Sequence, residues 1–261
     1  MGFMINLSGF RGLYLKKSLE NIKENAPNRF GLFLNIDFEA IDESDFEATQ
    51  TALIDSAVNA GVMGLKVYKS LGLTDTDSKG NRISINDPRL APIWDTCGKN
   101  KIPVLIHSGE PSSFWHPKDK FNERWLELRQ KPNRFRNPDT NPSFEEVLAE
   151  QHEVFKKHPN TIFINAHLGW MGNDLDRLET HLDTFPNVMT EIGAVLAELG
   201  RQPKRARSFF IKYQDRILFG KDSYKVSEYY TYFRVLETDD EYFDYYRKRH
   251  AHWKIYGLAL P

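Results

Sequence analysis

The sequence predicts an α/β fold, a (β/α)8 barrel of the TIM type that is one β unit short. Three short apolar runs, at residues 102–106, 161–166 and 216–221, have the β-branched and aromatic content of buried parallel strands. Each run leads directly into a residue that can bind a metal, and these residues are His107, His167 and Asp222. Polar residues at the carboxyl ends of barrel strands face the active-site mouth, so the same pattern predicts a site.

Strands and helices alternate along the chain. Apolar runs predict seven strands, at residues 3–7, 30–38, 62–68, 102–107, 161–167, 187–192 and 216–222. Helices are predicted between them, at residues 13–25, 44–60, from 87 onward, 143–158, 173–184 and 203–213, two of them opened by capping boxes at Ser44 and Ser143. Seven units indicate a barrel one unit short. An open doubly wound sheet is the alternative, but ligands from strands so far apart in order converge more readily in a closed barrel.

Composition limits the partners and the compartment. The 35 basic and 36 acidic residues leave a formal net charge of -1. The chain as a whole therefore has no electrostatic field that would attract nucleic acid or an anionic membrane. No apolar stretch is long enough to span a bilayer, and the first residues lack the regions of a signal peptide. The single cysteine, Cys97, fits a reducing compartment. We expect one cytoplasmic domain over residues 1–261, with residues 108–142 as a long active-site loop insertion.

The three strand-end residues together predict a metal site better than any one of them does, because a single histidine at a strand end is more often structural than a ligand. His107 and His167 each precede small, flexible residues that leave space in front of the ring. Asp222 follows an apolar run, where a carboxylate needs a partner. Two imidazoles and a carboxylate suit a divalent ion such as zinc.

These motifs resemble the amidohydrolase superfamily, in particular its amidohydrolase-related branch. The resemblance rests on His107-Ser108-Gly109-Glu110-Pro111, on Ala166-His167-Leu168-Gly169 and on residues 217–223, and it extends from about residue 3 to residue 261. It implies a (β/α)8 barrel that uses one or two divalent ions, most often zinc, with manganese as the alternative. It further implies that His107 and His167 bind the metal, and that Asp222 binds it and accepts the proton of the attacking water.

The chain departs from the family pattern at its start. The family's first strand ends in His-x-His, whereas this chain begins in what resembles the second strand and stops where the family continues into a final helix. We therefore expect a barrel that lacks its first β-strand and its final helix. Incomplete ends explain both departures, and a degenerate relative explains only the loss of the ligands. The one His-x-His of the chain, His250-Ala251-His252, follows three basic residues instead of an apolar run. We interpret it as a solvated helix end, with a displaced first-strand pair of metal ligands as the alternative.

Lys66 lies inside an apolar strand, where a lysine is costly unless it is paired, modified or directed to the barrel mouth. Its run resembles the strand of cyclic-amide hydrolases whose carboxylated lysine bridges two metals. An unmodified amine that forms a salt bridge or binds a substrate anion is the alternative. Four further residues are predicted to contact substrate: Glu110, Trp115, Arg124 and Arg201. For each of them a purely structural role stays open.

The predicted function is metal-dependent hydrolysis of a C–N or C–O bond in an amide-like or lactone-like small molecule. Asp222 and His167 are the predicted catalytic residues, and His107, His167, Asp222 and Lys66 the predicted metal ligands. Non-oxidative decarboxylation in the same scaffold is the alternative, and a non-catalytic or truncated barrel is another. A partial barrel exposes two strand edges, so we expect the chain to form a homo-oligomer, to take up a partner strand or to aggregate.

Overall fold

The protein, for which a computed structural model was obtained, is described over residues 2–250 and 252–261, with the backbone alone at residues 9 and 10. It divides into two compact units. The first comprises Met1–Gly109, Glu145–Ile164 and Phe185–Val188. The second comprises Glu110–Phe144, Asn165–Thr184 and Met189–Pro261. The prediction of a single domain stays a prediction.

The α/β prediction is confirmed. Seven strands follow the chain, each hydrogen-bonded to the next in chain order. They are β1 (Met4–Phe10), β2 (Phe30–Leu34), β3 (Gly64–Val67), β4 (Val104–Ile106), β5 (Phe163–Asn165), β6 (Val188–Glu191) and β7 (Ile217–Leu218). Two short strands, β8 (Phe243–Asp244) and β9 (Lys254–Ile255), form a separate antiparallel pair.

Helices alternate with the strands, as a (β/α)8 barrel requires. They are α1 (Gly12–Asn25), α2 (Phe46–Asn59), α3 (Ala91–Lys99), α4 (Trp125–Gln130), α5 (Phe144–Lys157), α6 (Leu175–Thr184), α7 (Leu196–Gly200), α8 (Pro203–Lys212) and α9 (Val226–Glu237). Among the described residues no helix combines the length and the apolar character needed to cross a membrane.

Strands β2, β3 and β4 of the first unit are buried on both faces apart from Phe30 at the start of β2, whereas β1 is half-buried or exposed over residues 4–8. β1, β2, β3 and β4 pair in parallel, with Leu65 opposite Val104. Leu34, Leu65, Val67 and Val104 are fully buried, and burial on both faces explains why β2 and β4 are continuous apolar runs without alternation. The helices of this unit cover the sheet with their own buried residues. Cys97 of α3 is one of them, and burial raises the pKa of its thiol to about 12, so it acts as a packing residue.

Two local predictions differ from the structure. Helix α2 begins at Phe46 after Asp45, so Ser44 does not cap it, and Asp45 makes no side-chain capping bond either. The segment 108–142, predicted as an irregular insertion, contains helix α4 and single helical turns at Ser112–Phe114 and Pro132–Arg134. It gives the second unit several buried polar residues that the next section describes.

Candidate active site

Lys66 and His107 lie at neighbouring strand ends of the first unit. Lys66 pairs with Leu105 across β3 and β4, and the His107 N–H donates to the carbonyl of Val67 at 3.1 Å. Lys66 is buried, and its Nζ lies 5.3 Å from the centre of the Tyr68 ring. Its neighbours Leu65 and Val67 point into the core, so Lys66 lies on the opposite face of the strand. The roles of Lys66 and His107 as metal ligands stay predictions.

His167 begins a left-handed turn in the second unit. The φ angles of His167, Leu168 and Gly169 are 57°, 55° and 59°, and that of Trp170 is 57°. Left-handed backbone costs a non-glycine residue about 1–2 kcal/mol, and three of these four residues carry a Cβ. Surrounding contacts must therefore hold the turn in place.

Glu191, the last residue of β6, provides those contacts. Its Oε1 accepts from the His167 N–H at 2.6 Å, and its Oε2 accepts from the Gly193 N–H at 2.5 Å. The residue is 7% exposed. A Cβ at Gly220 would clash with Glu191 Oε2, and one at Gly193 would lie 2.7 Å from the same atom. Both glycines are therefore needed for the carboxylate to approach the backbone closely.

The His167 ring is oriented from both sides. Its Nδ1 lies 2.6 Å from the carbonyl oxygen of Gly193, which can only accept, so Nδ1 carries a proton. Its Nε2 lies 3.5 Å from Asp222 Oδ1. In a neutral ring with the proton on Nδ1, Nε2 and the carboxylate oxygen both present lone pairs. A proton on the ring or a cation beside both atoms is required to make this contact favourable.

The same two atoms fit part of a metal site. Two zinc bonds of about 2.0–2.1 Å at the tetrahedral angle place their donor atoms about 3.3–3.4 Å apart. The observed 3.5 Å between His167 Nε2 and Asp222 Oδ1 is close to this value. The Nδ1 hydrogen bond to Gly193 is the support that metal-binding histidines commonly have. Within residues 2–250 and 252–261, no cluster of three or more His, Cys, Asp or Glu side chains is arranged to hold a metal.

The predicted substrate-binding residues of the second unit have protein partners. Arg136 Nη2 donates to Glu110 Oε1 at 3.1 Å, and Trp115 Nε1 donates to the carbonyl of Pro142 at 2.7 Å. Arg201 Nη1 donates to Glu123 Oε2 at 2.9 Å. Contact of Glu110, Trp115 and Arg201 with substrate stays a prediction.

Arg124 is the centre of a buried ionic cluster. Its Nη1 donates to Glu127 Oε2 at 2.9 Å, and its Nη2 donates to Glu198 Oε1. Arg134 Nη1 also donates to Glu127, at 2.5 Å. Arg124, Glu127 and Glu198 are at most 7% exposed. Burial raises the pKa of Glu127, but Arg124 and the other basic neighbours outweigh it and hold that pKa below its usual value.

His250 belongs to this cluster, so the interpretation of its motif as a solvated helix end is wrong at this residue. It is 5% exposed, stacks on Trp253 at 4.0 Å and places Nε2 3.4 Å from Glu127 Oε2. Burial, followed by the charge of Arg124, lowers the pKa of His250 to about 3. His252 is exposed, and Ala251 lies outside the described residues.

We expect His250 to make the protein sensitive to mild acid. Below pH 6.5 the unfolded chain protonates this histidine, whereas the folded chain resists protonation until about pH 3. The unfolded state therefore binds more protons, and this histidine lowers the free energy of unfolding as the pH falls through that window. For one titrating group, the free energy of unfolding changes by at most about 1.4 kcal/mol per pH unit.

Urea unfolding of the wild type, of His250→Phe and of His252→Gln between about pH 7 and about pH 4 measures this effect. His250→Phe keeps an aromatic ring against Trp253 but cannot titrate. It should lose less stability toward acid than the wild type, whereas His252→Gln should follow the wild type. Parallel curves for all three proteins would show that His250 titrates normally.

Lys221 supports the chain beside Asp222. Its side chain is 3% exposed, and its Nζ donates to Glu228 and to the carbonyl of Ser223. The Nζ also lies 5.6–5.7 Å from the ring centres of three tyrosines, Tyr229, Tyr232 and Tyr246. Burial raises the pKa of Glu228, but the hydrogen bond and charge of Lys221 outweigh it and lower that pKa overall. Lys221 thereby ties the segment after β7 to helix α9.

Several residues of the site carry no clear signal in the sequence. Gly193 and Gly220 matter through their distance from Glu191, and the motif analysis gave them no role. Trp170 was also missed, although its ring lies 4.7 Å from that of His167. A glycine two residues after Glu191 was the available signal, since it marks a close backbone approach next to a strand end.

Comparison with known proteins places this chain in a family. A sequence model of the family described as amidohydrolase matches residues 28–245, well over half of the chain. The protein therefore belongs to the amidohydrolase family, as its motifs predicted. No curated protein matches the sequence.

Several solved structures are similar to the chain. An uncharacterized TIM-barrel protein from Bordetella bronchiseptica is 14% identical with a TM-score of 0.49, over 82% of this chain and 63% of that one. A 4-oxalomesaconate hydratase from Rhodopseudomonas palustris is 12% identical with a TM-score of 0.47, over 78% and 55% of the two chains. An amidohydrolase from Burkholderia multivorans is 11% identical with a TM-score of 0.47, over 87% and 70%. The chain spans less than two thirds of the first two proteins.

Proposed function

We propose that this amidohydrolase hydrolyses a C–N or C–O bond of an amide-like or lactone-like small molecule with the help of a divalent metal. The observation that carries the proposal is the contact between His167 Nε2 and Asp222 Oδ1 at 3.5 Å. Because Nδ1 is committed to Gly193, these two atoms are suited to share a proton or a cation.

In this proposal each residue of the site has a separate role in catalysis. Asp222, whose side chain is 48% exposed, accepts the proton of the attacking water and returns it to the leaving group. Glu191 and Gly193 fix the backbone and the ring of His167, so that Nε2 keeps its orientation toward Asp222. His167 would hold the metal or donate a hydrogen bond to the developing oxyanion.

His167 and Asp222 would hold the metal, and we propose His107 and Lys66 as further ligands on the strength of the sequence resemblance. When bound, zinc or manganese would supply a Lewis acid that polarises the scissile bond and lowers the pKa of water. Whether Lys66 acts as a carboxylate or as an amine is part of the same proposal. A small-molecule substrate, a cytoplasmic location and a homo-oligomeric state complete it.

Metal content and hydrolysis of an amide and lactone panel test the proposal. Asp222→Asn should lower the hydrolysis rate by about 10²–10⁴-fold, because it removes the group that carries the proton. Its melting temperature should stay close to that of the wild type, since the side chain is half exposed. Mass spectrometry should find stoichiometric zinc or manganese in the wild type and less in the variant.

Asp215→Asn is the matched control, because it removes an exposed carboxylate from the turn just before β7. It should leave both metal content and hydrolysis unchanged. Full activity of Asp222→Asn would refute the assigned role of Asp222. Release of substrate-derived carbon dioxide in place of a hydrolysis product would favour a decarboxylase.

A further inference from the structure

A small cleft, open to solvent, lies entirely within the second unit. It is lined by Pro111, Ser112, Ser113, Glu123, Trp170, Gly172, Asn173, Val195 and Glu198. None of these nine residues is basic, and two of them are glutamates. Each glutamate already accepts from one arginine, Glu123 from Arg201 and Glu198 from Arg124, so the lining favours a ligand that donates hydrogen bonds to the remaining oxygen atoms.

Two buried oxygen atoms of this lining lack a hydrogen-bond partner among the described residues. They are Glu198 Oε2 and Ser113 Oγ, on side chains of residues that are 7% and 5% exposed. The other oxygen of Glu198 accepts from Arg124, so the carboxylate is held in place while Oε2 stays available. Leaving a buried acceptor unpaired costs about 1–3 kcal/mol, more for a charged group, so such atoms point to a missing donor.

The cleft borders the candidate active site through Trp170. The indole ring of Trp170 lies 4.7 Å from the ring of His167, at an interplanar angle of 33°. Trp170 also lines the cleft, so it is shared between the two sites. A group bound in the cleft would belong to a molecule whose reacting bond is near His167.

We propose that the cleft binds a primary ammonium group of the substrate. Glu198 Oε2 and Ser113 Oγ accept its N–H bonds, and Trp170 contributes an aromatic surface suited to a cation. Arg124 does not compete, because its guanidinium is already bound to Glu198 Oε1 and Glu127. This inference rests on the proposed function and names its substrate class, an amide or ester that carries an amino group.

Titration with methylammonium chloride tests the proposal without any turnover. Tryptophan fluorescence and melting temperature are followed at constant ionic strength, with sodium and tetramethylammonium chloride as reference salts. We expect a saturable response to methylammonium alone, because tetramethylammonium has no N–H donor. Trp170→Phe should remove most of the fluorescence response and thereby assign it to the cleft.

Variants of the two acceptors make the test specific. Glu198→Gln should weaken methylammonium binding by at least about tenfold, and Ser113→Ala by about threefold, in line with charged and neutral hydrogen bonds. Ser113→Ala removes only a hydroxyl, so it keeps the test valid if Glu198→Gln fails to fold. Glu179→Gln, a partly exposed carboxylate of α6, should change nothing.

The outcomes also separate this inference from the proposed function. Asp222→Asn should lose hydrolysis and still bind methylammonium, because Asp222 is not in the cleft lining. Hydrolysis of amides by the wild type without methylammonium binding would overturn the cleft proposal alone. Equal responses to all three salts, or no change in either acceptor variant, would show that the cleft holds only water.

Discussion

Replacing Arg124 with methionine should lower the free energy of unfolding by about 3–5 kcal/mol, the usual effect of removing one partner from a buried ion pair. The guanidinium serves two carboxylates, Glu127 and Glu198, which are 1% and 7% exposed. Methionine fills a similar volume but leaves Glu198 without a basic partner among the contacts described. Urea unfolding at neutral pH measures the loss.

Arg205→Met is the matched control. Arg205 also bridges two carboxylates, those of Asp176 and Glu179, but its side chain is 34% exposed and that of Asp176 is 86% exposed. Exposed pairs contribute about 0–1 kcal/mol, so this variant should stay within that range of the wild type. The contrast isolates burial as the cause of the Arg124 effect.

A double variant tests whether Arg124→Met loses stability because the Glu198 carboxylate is left without a basic partner. Arg124→Met combined with Glu198→Met removes the charge that has lost its partner, so it should be more stable than the sum of the two single changes predicts. Contacting charges commonly show coupling of about 0.5–3 kcal/mol. If Arg124 instead serves chiefly to bind substrate, Arg124→Met would keep its stability and raise only the KM.

The sequence was most informative about strands whose burial can be predicted from their own residues. The strand that ends before His107 is apolar because both its faces are buried, and its burial is visible in the composition of the run itself. The same holds for the strand before His167. The proximity of His167 and Asp222 followed from a general rule, because carboxyl ends of parallel strands lie at one edge of a sheet.

Features that depend on partners distant in sequence could not be predicted in the same way. Arg124 and Glu198 are 74 residues apart, and nothing local to either indicates that both are buried. Arg124 was predicted to contact substrate because it lies in the loop insertion, where barrel enzymes carry their selectivity, and that contact stays a prediction. The left-handed turn at His167 is similar, since its cost is offset by Glu191, which is 24 residues away.

Replacing Glu191 with glutamine should damage the site more than its similar shape suggests. The two carboxylate oxygens accept separately from the N–H groups of His167 and Gly193. A glutamine amide has one oxygen and one NH2 group, so one backbone N–H would face another donor. This leaves a buried donor unsatisfied and should lower the free energy of unfolding by about 1–3 kcal/mol.

The catalytic effect should exceed the effect on stability. His167 keeps its left-handed backbone only while its N–H is held, and its Nδ1 bond to Gly193 depends on the same carboxylate. Relaxation of the turn would move Nε2 away from Asp222. A displacement of about 1 Å can cost about 10²-fold in rate, so we expect Glu191→Gln to lose hydrolysis by about that factor.

Glu179→Gln supplies the control, because Glu179 is also a paired glutamate but is 21% exposed and makes its pairs at the surface. It should lose less than about 1 kcal/mol and keep its activity. Glu191→Asp is a second probe, since it retains both acceptors on a shorter side chain. If Glu191→Gln folds, binds metal and turns over substrate like the wild type, then Glu191 does not position His167, and the strained turn must be held by other contacts.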